Sequence, residues 1–125
     1  MNKSYRELEA WKCSKDLVKG IYQVTNHFPI KEQNCLTLQI RRAAISIPSN
    51  IAEGIGRNSI KYVIQFLYIS RGSLYELETQ IIIANELNYI SNDKLNELLL
   101  MVDRVRRLLS GLINYYESKI KAISK

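Results

Sequence analysis

The chain reads as an all-α protein, an antiparallel up-down-up-down four-helix bundle. Three observations predict this. Two prolines and five glycines are spread over 125 residues, so long segments run without a breaker. Apolar residues recur every three to four positions along four separate stretches, the period of a helix with one buried face. The connections between those stretches are short, which turns each helix back beside the one before it. The helices are expected at about residues 5–28, 36–57, 59–88 and 92–121 of one domain spanning 1–125.

In the first helix, Ser4-Tyr5-Arg6-Glu7 matches a capping box, with Ser4 as the cap and Glu7 reaching back. Leu8, Trp11, Ser14, Val18, Ile21, Thr25 and Phe28 then form the stripe, widened by Leu17 and Val24. Pro29 disfavours helical geometry at Phe28 and stops the helix nearby.

The second helix carries Leu36, Ile40, Ala43, Ala44, Ile47 and Ile51 on its core stripe. Pro48 has no amide hydrogen and crowds the carbonyl of Ala44, so a bend is expected there. Ser46, Ser49 and Asn50 are polar neighbours that could serve the freed carbonyl. A polar band of Gln39, Arg42, Ser46, Ser49, Asn50, Glu53 and Arg57 runs along the same helix. Ile45, Pro48, Ala52 and Ile55 fall on a third side, so the apolar arc is wider than one partner helix needs. Gly54-Ile55-Gly56 reads as a helix terminus in which glycine supplies an unusual backbone conformation.

The third helix keeps Ile60, Val63, Leu67, Ser70, Leu74, Leu77, Ile81 and Ala84 at the period of a left-handed bundle seam. Tyr62, Phe66 and Ile83 extend its apolar surface. Gly72 and Ser73 are small residues in mid-helix that weaken helix propensity, and close approach of another backbone is the expected compensation. Arg71 and Glu78 sit beside the seam and need partners, between helices or between subunits. Ser91-Asn92-Asp93 caps the fourth helix, whose seam is Leu95, Leu98, Val102, Val105, Leu109, Leu112 and Tyr116.

Composition is that of an ordinary globular domain, 46% hydrophobic and 24% charged. No apolar run is long enough to cross a membrane, and the first residues hold no signal-peptide core. Cys13 and Cys35 are spaced for neither a zinc site nor a redox motif and read as free thiols. These features predict a cytoplasmic protein.

Catalytic chemistry finds no residues to carry it. Di-iron bundles need inward carboxylates and Glu-x-x-His pairs, and the single histidine, His27, ends the first helix and is placed to meet its dipole. No nucleophile-base-orienter set can be assembled. Gly54-Ile55-Gly56 lacks the strand and lysine of a phosphate loop. No enzyme activity, catalytic residue, metal or cofactor is expected.

Charge is the remaining lead. The net charge is +6, from 18 basic and 12 acidic residues. Arg41, Arg104, Arg106, Arg107, Lys119 and Lys121 are the candidate phosphate contacts. Eight tyrosines stand beside only two phenylalanines. Tyrosines on a bundle edge are half-buried or lie in subunit interfaces, and interleaved with arginine they can also stack on unpaired bases.

Several segments resemble a known family. They are Phe28-Pro29, Gln39-Ile40-Arg41-Arg42-Ala43-Ala44, Ser46-Ile47-Pro48-Ser49-Asn50-Ile51-Ala52-Glu53-Gly54 and Gly72-Ser73-Leu74-Tyr75-Glu76-Leu77-Glu78. Together they are similar to the four-helix-bundle proteins encoded by intervening sequences in bacterial 23S ribosomal RNA genes. Cys35 stands where a glycine commonly precedes the leucine. The resemblance marks Arg42, Pro48, Asn50, Glu53, Gly54, Arg57, Gly72, Ser73 and Glu78 as the structural motif. It implies a homo-oligomeric ring, usually a pentamer. It also implies kinship with the accessory protein of diversity-generating retroelements, which binds nucleic acid and a reverse transcriptase.

Two functions compete on this reading. One is a non-enzymatic, self-assembling protein that binds RNA or DNA through a basic surface. The other is a protein-interaction scaffold whose arginines take an acidic protein partner.

Overall fold

The computed structural model describes residues 4–124. Four helices are present: α1 (Glu9–Thr25), α2 (Leu36–Ile55), α3 (Ile60–Glu86) and α4 (Asn92–Ser124), with short 3-10 turns at Tyr5–Glu7 and Ile30–Glu32. Each helix packs on two others, α1 and α3 both lying between α2 and α4, while the backbones of the diagonal pairs stay apart. Ser46 faces Ser73 while Gly54 faces Phe66, so α2 and α3 run antiparallel. Tyr68 meets Glu117 and Arg71 meets Ser110, which sets α4 antiparallel to α3.

The seams read from the sequence form the core. Leu17, Ile21, Ile40, Ile47, Ile51, Leu67, Leu74, Leu77, Ile81 and Leu109 are wholly removed from solvent, each contributing on the order of 1.5–3 kcal/mol. Three buried hydroxyls find carbonyls within the fold, while that of Thr37 has no partner among the described residues. Ser14 Oγ donates to Trp11 O at 2.8 Å, Thr25 Oγ1 to Ile21 O at 2.7 Å and Ser70 Oγ to Ile47 O at 2.8 Å. The last of these pins α3 to α2.

Several local expectations are corrected. Helix α1 begins at Glu9, because Leu8 is extended (φ −76°, ψ 131°) and separates it from the turn before. Ser4 Oγ accepts from the backbone N of Arg6 at 3.3 Å, so it caps that turn and not α1. In α4, Ile113 is buried while Leu112 is half-buried. The drift between 3.6 residues per turn and a strict 3.5 repeat moves the seam by one position near the end of a long helix.

Helix α2 continues through Pro48 without a break. The polar neighbours serve a different purpose from the one expected. Asn50 Nδ2 donates to both the O and the Oγ of Ser46, each at 2.8 Å, and Ser46 Oγ shares a 2.8 Å hydrogen bond with Ser73 Oγ. The result is a polar rung between α2 and α3; Ser49 stays exposed.

The glycines also depart from the expected roles. Gly56 has φ −77°, and among the described residues no glycine takes positive φ. Gly54 is buried inside α2, where a Cβ would stand 2.7 Å from Phe66 Cβ and 3.3 Å from Val63 O. Space therefore selects glycine at 54, not backbone conformation. A Cβ at Gly72 would meet nothing within 4 Å, so no close approach exists there among the described residues.

The two ends of the bundle differ. At one, α3 closes in a Schellman motif: Asn88 takes φ 67°, Tyr89 N donates to Ala84 O at 2.9 Å and Asn88 N to Asn85 O at 2.9 Å. Asn85 Nδ2 then clasps Ile90 O and Asn92 Oδ1, both at 2.9 Å. Tyr89 Oη reaches across to Glu32 Oε2 at 2.9 Å, and its ring lies 5.4 Å from that of Phe28. At the other end, Ser59 starts α3 without a side-chain cap, and no described residue of α4 beyond Ile113 is fully buried.

Candidate nucleic-acid interface

The six candidate cations fall into three places. Arg41 is half-buried beside the end of α1. Its Nε donates to Thr25 Oγ1 at 2.8 Å and its Nη2 to Asn26 Oδ1 at 3.0 Å, with the guanidinium 4.4 Å above the Tyr22 ring. Two of its nitrogens and one of its faces thus hold α2 to the end of α1.

Arg104, Arg106 and Arg107 lie mid-way along α4, each beside a carboxylate. Arg104 Nη2 is 3.9 Å from Glu9 Oε2, Arg107 Nε is 3.2 Å from Asp103 Oδ2, and Arg106 pairs with the other oxygen of Asp103. The i,i+3 and i,i+4 spacing on one helix brings Asp103 to both arginines. These pairs are solvated and contribute little to stability, but they offset charge where the arginines would meet phosphate.

Lys119 and Lys121 lie in the last turns of α4. Lys119 Nζ sits 4.7 Å above the Tyr115 ring and 5.9 Å from that of Tyr116. Its pKa is raised, first by hydrogen bonding to the Tyr115 hydroxyl. Lys121 lines a groove with Lys61, Ile64, Glu117 and Ile120. Lys61 belongs to the start of α3 and was not among the sequence candidates, because only the packing of α3 on α4 brings it there.

The motif residues serve the α2–α3 pair. Glu53 Oε1 accepts from Arg57 Nη2 at 3.0 Å, and the Arg57 guanidinium lies 4.9 Å over the Phe66 ring. Arg42, on the same polar band, shares a groove with Gln39, Glu76 and Gln80. Arg71 stacks 4.8 Å over Tyr68. Glu78 is half-buried, with no ion pair among the described residues.

Two tyrosines bridge helices through carboxylates. Tyr68 Oη donates to Glu117 Oε2 at 2.9 Å, and Tyr89 does the same to Glu32. Each acceptor raises its tyrosine's pKa, with desolvation adding to the shift.

Apolar residues remain on the outer side of α2 and α3. Leu38, Ile45, Tyr62, Ile69 and Ile83 are between 37% and 56% exposed. The sequence expectation of an over-wide apolar arc is met at these positions.

Among the described residues, no cluster of three or more His, Cys, Asp or Glu could hold a metal ion. Cys13 and Cys35 are both free thiols. No described helix is long and apolar enough to cross a membrane.

No curated protein matches the chain at a meaningful level. Residues 6–111 match the family model described as the 23S rRNA-intervening sequence protein. That span takes in all of α1, α2 and α3, including the Pro48 helix, the Gly54–Phe66 contact and the Ser46–Ser73 rung. The match ends at Gly111, before Tyr115, Lys119 and Lys121. With the bundle geometry and most of its sequence in agreement, the chain belongs to the 23S rRNA-intervening sequence protein family.

Proposed function

We propose that the chain is a non-enzymatic accessory protein that assembles with copies of itself through the outer α2–α3 face and binds nucleic acid through its remaining surface. The observation that carries this reading is the division of charge. The α2–α3 face holds two rows spaced seven residues apart, Leu38-Ile45-Ala52 and Tyr62-Ile69, the latter resuming at Ile83 beyond Glu76. Its ionisable residues are Arg42, Arg57, Glu53 and Glu76, two of each sign, so they sum to zero. The whole chain carries +6. All of the excess therefore lies off this face.

A neutral, partly apolar face lets like-charged copies meet. A contact that joins this face to a different one closes into a ring where the rotation between copies divides a full turn, and the family resemblance favours five copies. The basic remainder, repeated around the ring, multiplies the phosphate contacts and the salt dependence they bring. A reverse transcriptase is proposed as a further partner on kinship alone.

The test pairs sedimentation of the purified protein with equilibrium binding to a structured RNA and a matched DNA duplex across roughly 50 to 200 mM salt. Oligomers and a steep loss of affinity with salt are expected. Assembly without binding at the lowest salt would transfer the basic surface to an acidic protein partner.

A further inference from the structure

We infer that the outer side of α3 is a second pairing seam, and that a second copy of this chain fills it with its own α3, antiparallel and related by a two-fold axis. The contact lies off the proposed α2–α3 assembly face and goes beyond the proposed function.

Periodicity marks the seam. Lys61, Tyr68, Tyr75 and Ile82 stand seven residues apart on α3, and Gln65, Gly72, Thr79 and Glu86 follow them at a distance of four. Steps of four and three in alternation give the 3.5-residue repeat by which one helix packs along another. The same repeat on the opposite side, through Leu67, Leu74, Leu77 and Ile81, builds the core. Helix α3 thus carries two seams, and the bundle uses one. All eight residues of the outer repeat are exposed, with Tyr68, Tyr75 and Ile82 showing 41%, 47% and 39% of their surface.

Gly72 stands near the middle of this repeat. A mid-helix glycine weakens the helix, and a Cβ there would meet nothing within 4 Å among the described residues. No contact inside the described chain asks for glycine at this position; a helix approaching from outside does.

Register and charge identify the occupant. Laid antiparallel on itself, α3 has one register that pairs all eight positions. Lys61 then meets the partner's Glu86, Gln65 the partner's Ile82, Tyr68 the partner's Thr79 and Gly72 the partner's Tyr75, and the two-fold axis repeats each pair. A tyrosine ring lies over the residue with no side chain, and opposite charges meet at both ends. Neither Lys61 nor Glu86 has an ion-pair partner among the described residues. A parallel pair would set lysine on lysine and glutamate on glutamate. The surface is therefore complementary to itself, as a two-fold contact requires. It holds three large apolar side chains per copy along about 38 Å of helix. A single pair thus belongs to the weak, transient class and is best caught covalently.

The experiment is disulfide trapping of the full chain under mild oxidation, in a background that replaces the two free thiols (Cys13→Ala/Cys35→Ser). Gln65→Cys and Ile82→Cys proteins are oxidised separately and as a mixture, and circular dichroism checks that each is folded. In the inferred register position 65 lies beside the partner's position 82. The two copies of either position are separated by 17 residues of helix, about 25 Å, far beyond the roughly 7 Å between Cα atoms that a disulfide spans.

The mixture should form a covalent dimer, and each protein alone should give less than about a tenth as much. Lys61→Glu added to both proteins should slow trapping by about tenfold, and so should Glu86→Lys, because the symmetry sets like charges together at both ends. Lys61→Glu and Glu86→Lys on the same chain should restore the rate to within about twofold. Gly72→Leu, which fills the hollow for Tyr75, should suppress trapping while the monomer stays folded. No disulfide in the mixture, as much disulfide in either protein alone, or a charge exchange that fails to restore trapping would each overturn the inference. The proposed function would stand in every case, because the contact it invokes uses none of the eight positions.

Discussion

Gly54 lies so close to Phe66 that a methyl group on its Cα would stand 2.7 Å from the Phe66 Cβ. The obstructing atom is fixed to the α3 backbone and cannot rotate away. Gly54→Ala should therefore destabilise the fold by about 1–3 kcal/mol, even though alanine is the better helix former. Gly72→Ala is the matched control. Its added Cβ meets nothing within 4 Å, so the same change there should stabilise the monomer by about 1 kcal/mol. Urea denaturation of the two variants should show opposite signs; equal signs would remove the packing explanation.

Asp103 holds Arg106 and Arg107 on its two carboxylate oxygens. Asp103→Asn removes one negative charge and frees two guanidinium groups on an exposed stretch of α4. Duplex binding should strengthen at low salt, and the salt slope should steepen by about one. An unchanged slope would mean that nucleic acid does not approach this part of α4.

The hydroxyls of Tyr68 and Tyr89 must be protonated to donate to Glu117 and Glu32. In the folded state both have pKa values raised above 10.0, first because of those carboxylate acceptors. Folding thus favours the protonated form. The contribution is fully present below the unfolded value of about 10 and is lost as pH rises through the raised folded value. Urea midpoints measured from roughly pH 9 to pH 11 should fall in wild type and fall less steeply in a Tyr68→Phe/Tyr89→Phe variant. Parallel curves would place the pH sensitivity elsewhere.

A charge placed on the outer α2–α3 face should block assembly without unfolding the bundle. Ile45→Glu with Ile69→Glu changes two side chains that are 43% and 45% exposed. Sedimentation should shift to the monomer while helical content is retained. Pro48→Ala tests the same interface from inside α2. Oligomers should weaken if the proline shapes the face, and unchanged oligomers would confine Pro48 to the monomer.

Most of the fold was legible because its cause is local and periodic. Ile40, Ala43, Ala44, Ile47 and Ile51 repeat along α2 and are all buried. The start of α1 was misread because a capping-box sequence only specifies a helix that continues, and Leu8 turns the chain into an extended conformation. The close approach expected at Gly72 is found at Gly54, because the sequence does not say which glycine faces another helix. The pairing of Asp103 with Arg106 and Arg107 is written in their spacing, yet counting basic residues passes over it. Lys61 and Lys121 are 60 positions apart in sequence, and no pattern along the chain connects them. Their neighbourhood exists only once α3 lies on α4.

The Schellman turn at Asn88 and the hydrogen bond from Tyr89 to Glu32 seal one end of the bundle, while at the other the Tyr5–Glu7 turn packs on α1 and α2. The molecule therefore has a polarity. Rotation about a ring axis leaves every component of direction along that axis unchanged, so copies related by such a rotation cannot alternate up and down. Any cyclic assembly whose axis follows the helices would collect the sealed ends on one rim and the lysine-bearing ends on the other. It would be a two-faced disc with a different surface on each side.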